Sequence, residues 1–211
     1  MRIRRFTPAD AAAVDEICVR TGDAGGDARG RYSTDTLLPD VFARPYWTLE
    51  PDFAFVLDDG DRAVGYVLGT PDTAAFVRAY RERWIPATAA RLPAPGAADG
   101  PPGPDDELLG LHHHPERMLV PGLADFPAHL HIDLLPAHQG AGHGRALIER
   151  IAAAFTDAGA AGVHVGVAAG NTAALAFYAR VGFVPLGLPE PPVALGRRLG
   201  AGGPAAEVVF S

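Results

Sequence analysis

The chain has 211 residues, of which 48% are hydrophobic, and a formal net charge of −7. That length and apolar share suffice to bury the core of one domain, and the acidic balance argues against a nucleic-acid binder. A single cysteine, Cys18, excludes an internal disulfide framework.

In chain order, Ile3 and Phe6 mark a short first strand. Thr7-Pro8-Ala9-Asp10 is a helix start, with a Thr cap, Pro in the first turn and an acid at N3. Val14, Ile17 and Cys18 follow on the buried face, where Cys18 reads as a core thiol. Thr34 to Phe42 reads as a second short helix and Pro45-Tyr46-Trp47 as a loop. Phe53 to Leu57 and Ala63 to Leu68 are two strands joined by Asp58-Asp59-Gly60-Asp61, a hairpin signal. Thr73 to Ile85 reads as a helix with Phe76, Val77, Tyr80 and Trp84 along one side.

Residues 86–127 read as an insertion near the substrate mouth. Its stretch from Pro93 to Pro104 is rich in Pro and Gly, which excludes regular structure and predicts a mobile or weakly packed segment. Leu108 to Leu111 and then His112-His113-His114-Pro115 follow. Adjacent histidines do not easily converge on one tetrahedral ion, and no Cys or carboxylate stands at ligand spacing, so no metal site is expected.

The most informative run comes next. His129 to Leu135 is an apolar strand that stops at Pro136, and Gln139-Gly140-Ala141-Gly142-His143-Gly144-Arg145 opens directly into a helix. That helix carries Leu147, Ile148, Ile151 and Phe155 at helical spacing and ends at Gly159. Its first amides lack intrahelical partners, and the helix dipole lies behind them, so the loop is suited to a phosphate or pyrophosphate. Glycines at 140, 142 and 144 let a phosphate approach the backbone. A Walker loop would need Lys-Ser or Lys-Thr after the last glycine, and a Rossmann fingerprint would read G-x-G-x-x-G.

Val163 to Ala168 is a further strand. Asn171 is a suitable N-cap for a helix with Ala174, Phe177 and Val181 on one face, closed by Gly182. Phe183 then packs back. The element order predicts a mixed α/β sheet with helices on both faces, in a single domain spanning 1–211.

Gln139-x-x-Gly142-x-Gly144 resembles the acetyl-CoA pyrophosphate loop of the GNAT acetyltransferase superfamily. Asn171 to Phe183 resembles that family's N-x-x-A-x-x-F-Y-x-x-x-G-F segment. A looser similarity, carried by the His129–Pro136 strand, the Pro/His-rich insertion and the Asn171/Tyr178 pair, is to bacterial proteins resembling the C-terminal acetyltransferase-like domain of O-GlcNAcase. The resemblance implies a mostly antiparallel sheet splayed between the strands ending near Leu135 and Ala168, with acetyl-CoA as cofactor. It also implies an amine acceptor as the other partner, and dimers are common among relatives. It places pantetheine amides on Leu134 and Leu135, and pyrophosphate on Gln139, Gly140, Ala141, Gly142, His143, Gly144 and Arg145. Asn171, Ala174 and Phe177 line the same site. Tyr178 takes the place of the general acid that protonates the leaving thiolate.

The base is read from the strand itself. His129, His131, Asp133 and Leu135 share one face, so Asp133, with His131 beside it, can drain a proton from the amine. His164, alone among valines, reads as structural. A non-catalytic acyl-CoA-binding or protein-interaction module on the same fold remains the alternative. No stretch is long and apolar enough to span a membrane, and the N-terminus lacks the apolar core of a signal peptide, so a cytoplasmic protein is expected.

Overall fold

The computed structural model describes residues 1–96, 103–189 and 192–200. Its strands are β1 (Arg2–Arg5), β2 (Ala54–Asp58), β3 (Ala63–Thr70), β4 (Ala128–Leu134), β5 (Gly162–Val167), β6 (Val184–Pro185) and β7 (Val193–Arg198). They form one sheet in the order β1-β2-β3-β4-β5-β7-β6. Neighbours run antiparallel except β4 and β5, which are parallel.

β2 and β3 are buried along their whole lengths, because helices cover both faces of the sheet. Alternate side chains serve the two layers. Val56, Tyr66 and Leu68 join one core with α1 (Ala11–Thr21), α2 (Leu37–Phe42) and α3 (Arg44–Leu49). Phe55, Leu57 and Val67 join the other, against α7 (His143–Asp157; numbered in chain order). The predicted stripe Leu147, Ile148, Ile151 and Phe155 is essentially sealed from water. Truncating Phe155 to Ala would cost about 3–5 kcal/mol.

The predicted first helix begins with a 3-10 turn at Pro8–Asp10. Asp10 accepts from the Thr7 N–H and hydroxyl, both at 2.8 Å. The Arg4 guanidinium, bonded to Asp10 through two nitrogens at 2.7 Å each, holds that carboxyl down at about 2.

Two expectations are corrected. Pro45-Tyr46-Trp47 is not a loop but lies in helix α3. Proline at the first turn of a helix lacks only an N–H that would have no partner there, and Tyr46 is drawn into the core. Nor does the irregular stretch reach as far as Pro104. α4 (Thr73–Ala79) continues through a π-helical turn (Tyr80–Trp84) into α5 (Ile85–Thr88), and α6 (Pro104–His113) follows. The wide turn precedes Pro86, which cannot supply the ordinary helical bond. Pro104 again starts a helix, and the Asp106 carboxylate accepts from the Gly103 N–H at 2.8 Å. Leu108 and Leu109 then fill the first core. Of the stretch predicted to be mobile, residues 97–102 lie outside the described residues.

Candidate active site

The strand pair β4/β5 sets the geometry. The two strands are in register at only two positions, Ala128↔Val163 and His129↔His164. Beyond them β4 stays on β3, through Gly65↔Leu134, and β5 stays on β7, through Val167↔Val193. The edges facing each other between Leu130 and Leu134 on one side and Val165 and Val167 on the other are therefore unzipped. The Leu135 N–H donates to the Val64 carbonyl at 3.0 Å, so it is committed to the sheet. Main-chain groups alternate in direction along a strand, which turns those of Ile132 and Leu134 toward the opening. The Leu134 carbonyl itself accepts from the Gln139 side chain at 2.9 Å.

The glycine loop closes one end of this opening. Gly140 and Gly142 have φ of +76° and +86°, a conformation that L side chains resist, and open space surrounds both. Gly142 caps α7, and the Ala146 N–H, at 3.1 Å from the Gly142 carbonyl, begins the helical ladder. Gly144 has a different reason to be glycine: a Cβ there would meet the Phe177 ring at 3.0 Å. The close approach of α7 and α8 (Thr172–Arg180) depends on it. Ala141 is exposed, His143 is half-buried in the first turn, and Arg145 donates to the Arg180 carbonyl at 2.6 Å, capping α8.

α8 runs along the other side of the opening. Asn171 caps it, accepting from the Ala174 N–H at 3.0 Å, and Gly182, with φ +89°, ends it. Ala174 and Phe177 are half-buried. Tyr178 is buried between Phe177 and Phe183, with ring centroids at 5.3 and 5.1 Å. Among the described residues no group accepts from its hydroxyl. Burial first, and then the charge of Asp133, push the phenol's ionisation up. The phenol therefore keeps its proton at neutral pH.

Asp133 is half-buried on β4, opposite Tyr66 of β3. The Tyr66 hydroxyl donates to its carboxylate. Burial pushes the carboxyl up to about 6, against the opposite pull of the Tyr66 and Thr21 hydroxyls. His131 faces the same way but does not bond Asp133. Instead its Nε2 lies 3.0 Å from the Tyr46 hydroxyl. The same hydroxyl is 2.8 Å from His129 Nε2, and His129 Nδ1 is 2.7 Å from the Thr73 hydroxyl. Burial lowers the pKa of His131 to about 4 and lowers that of His129 as well.

Neither Tyr46 nor Tyr66 is singled out by the sequence: Tyr46 falls in a stretch that reads as a loop, and Tyr66 in an apolar strand, where an aromatic reads as core. Their only sequence signal is a phenol facing a strand whose polar residues, His129, His131 and Asp133, all fall on one face. The remaining singled-out residues are structural. Cys18 is buried, which raises its thiol pKa. His164 Nδ1 lies 2.7 Å from the Phe126 carbonyl. The three adjacent histidines turn to separate partners: His112 to the Tyr80 and Thr88 hydroxyls, His113 to the Leu92 and Pro93 carbonyls, and His114 to the Gly110 carbonyl. No helix among the described residues is long and apolar enough to cross a membrane.

An open sheet parted between two parallel strands, with a glycine-capped helix at the end of the gap, is the architecture of an acyl-CoA transferase fold. Residues 108–183 match the model of the acetyltransferase (GNAT) family. The protein solved as SsHAT is 51% identical, with a TM-score of 0.89 over 94% of this chain and 98% of that one. A phosphinothricin acetyltransferase from Sinorhizobium meliloti, solved with acetyl-CoA, shares the fold at 14% identity, with a TM-score of 0.53 over 98% of this chain and 92% of that one. Protein O-GlcNAcase of Rattus norvegicus is 26% identical over 201 residues, 93% of this chain and 22% of that protein. The chain thus spans about a fifth of the length of the curated relatives it matches. It belongs to the GNAT family of acetyltransferases.

Proposed function

We propose that this chain is an acetyl-CoA-dependent N-acetyltransferase that passes the acetyl group directly to an amine. The observation that carries this reading is the parting of β4 from β5 after two paired positions, with Asp133 and Tyr178 beside the gap and the Gly142-capped helix at its end. Pyrophosphate rests on the loop from Gln139 to Arg145, where helix-start amides and the dipole favour an anion. The pantetheine arm runs along the unzipped edge, on the main-chain groups of Ile132 and Leu134. Asn171, Ala174 and Phe177 flank it.

In the reaction, the amine lone pair forms the N–C bond to the thioester carbon, the C–S bond breaks, and the thiolate leaves. The proton lost by the nitrogen goes to Asp133, which is ionised above about 6. The thiolate takes its proton from Tyr178, which is kept protonated by burial. A phenol and an alkyl thiol have similar ordinary pKa values. Burial raises the phenol above its own, so the transfer runs forward only because the departing thiolate is desolvated in the same gap and its pKa rises too. Holding the two reactants side by side supplies the rest.

Release of free thiol from acetyl-CoA, measured over a panel of small amines, amino acids and peptides, tests the reaction. Calorimetry with acetyl-CoA tests the site. Ala141 is exposed in the loop and outside the left-handed region, so Ala141→Glu adds charge without strain. It should weaken acetyl-CoA about tenfold or more through repulsion of the pyrophosphate. Tight acetyl-CoA binding with no thiol release on any acceptor would favour a non-catalytic acyl-CoA-binding module. Unchanged affinity in Ala141→Glu would move the pyrophosphate elsewhere.

A further inference from the structure

The hydrogen bonds behind His131 run in one direction. The Thr73 hydroxyl lies 2.7 Å from the Pro127 carbonyl. A carbonyl can only accept, so Thr73 donates there. The Thr73 oxygen is also 2.7 Å from His129 Nδ1. With the hydroxyl proton already used, Nδ1 must carry a hydrogen and donate.

His129 is buried and neutral, which leaves its Nε2 bare. That nitrogen accepts from the Tyr46 hydroxyl at 2.8 Å. The Met118 sulfur, 3.9 Å from the same hydroxyl, is too weak an acceptor to compete. Tyr46 has only one proton. Its oxygen must therefore accept from His131 Nε2, 3.0 Å away. A neutral imidazole carries one N–H, so His131 Nδ1 is bare. No described residue donates to it, and it is not sealed from water.

His131 stands just past the last paired position of β4 and β5, two residues from Asp133 and about 7 Å from it along the strand. Resting on the transferase reading above, we propose that His131 Nδ1 accepts a hydrogen bond from the acceptor's amine. Thr73, His129 and Tyr46 are positioning residues that lock the imidazole in the Nε2–H tautomer. The lock matters because the other tautomer would point an N–H at the amine's own N–H. A neutral primary amine then spends one N–H on His131 and its lone pair on the thioester carbon. His131 orients the nucleophile, and Asp133 takes the proton.

Nitrogen-15 NMR of the histidine-labelled full chain reads the tautomer directly, with His131→Gln assigning the signal. The expected result at pH 7.5 is neutral His131 with hydrogen on Nε2. Hydrogen on Nδ1, or an imidazolium, overturns the proposal. This result stands whether or not any acceptor is turned over, so it separates failure of the lock from failure of the transferase reading. With an acceptor from the thiol-release panel, Tyr46→Phe should release His131 into mixed tautomers. It should lower kcat/KM for the acceptor about tenfold while leaving the KM for acetyl-CoA unchanged.

His131→Asn keeps an acceptor near the Nδ1 position and should retain more activity than His131→Gln, which keeps only the Nε2-side donor. Wild-type kcat/KM in His131→Gln, or no change in the Nδ1 resonance when acceptor is added to the protein with bound CoA, would overturn contact with the amine.

Discussion

Asp40 and Asp133 are both withdrawn from water, on the same side of the sheet, and they are treated in opposite ways. Asp40, in α2, is fully buried and is held by Arg44 at 3.1 Å and by two nitrogens of Arg91 at 3.0 and 2.8 Å. Its backbone carbonyl accepts from the Trp84 indole at 3.0 Å. Asp133 sits at the opened strand edge with a phenol for a partner and, among the described residues, no ion pair. A buried carboxylate that is given cations is committed to the fold. One given only hydroxyls hovers between charged and neutral, which suits a group that must take up a proton. The insertion therefore supplies a clamp, through Arg91 and α6, while β4 carries the carboxylate assigned as base in the proposed reaction.

The sharpest way to break this contrast is Asp133→Asn. The amide oxygen can still accept from Tyr66, so thermal stability at neutral pH should stay the same or rise, since a buried charge is removed. Turnover should fall 10²–10⁴-fold, about 3–5 kcal/mol on the barrier. A variant with wild-type turnover removes Asp133 as the base. Next in size is Tyr178→Phe, which should keep acetyl-CoA affinity and lower kcat about a hundredfold. Lost melting temperature with unchanged kcat would instead make Tyr178 a packing residue of α8.

Asp40→Asn should do the reverse of Asp133→Asn. It turns an acceptor into a donor against Arg91 and removes the shared charge. Because both arginines reach water, the cost should fall between those of exposed and fully buried pairs, at about 2 kcal/mol. That corresponds to a melting shift of about 6 °C for a domain of this size. Turnover per folded molecule should be unchanged. A large kinetic effect without a melting shift would mean that the clamp region takes part in the site.

The same contrast explains what was legible in the sequence. The glycine loop, the Asn171 cap and the Gly182 stop are local devices, each written in a few adjacent residues, and the structure bears out the elements built on them. The mixed sheet with helices on both faces followed from element order. The helices at Arg44–Leu49 and Pro104–His113 did not, because their prolines read as breakers until packing shows them at first turns. Tyr46, Tyr66 and Thr73 were invisible as site residues for a deeper reason. Their partners are 85, 67 and 56 residues away along the chain, and only strand register brings the groups together. Gly144 was legible as necessary, but its contact with Phe177 is a fact of helix packing that spacing does not carry.

The finest test concerns Tyr66, which shares its strand position with Asp133 and donates to it. The hydrogen bond favours the carboxylate, so its removal should push the Asp133 pKa above its present value of about 6. In Tyr66→Phe, the acid limb of kcat/KM should therefore move to higher pH by about one unit, equivalent to about 1.4 kcal/mol. Stability gives an independent reading. The folded pKa of Asp133 is raised from an ordinary value of 3.8. Folding is therefore helped by this group below about pH 4 and loses that help as pH rises through about 6. In Tyr66→Phe the loss should continue to higher pH, and in Asp133→Asn it should vanish. Melting curves at pH 5 and pH 8 separate the three proteins. An acid limb that stays in place in Tyr66→Phe, while Asp133→Asn abolishes it, would leave Asp133 as the base but make the phenol a bystander. In that case burial alone would set the poise of the carboxylate.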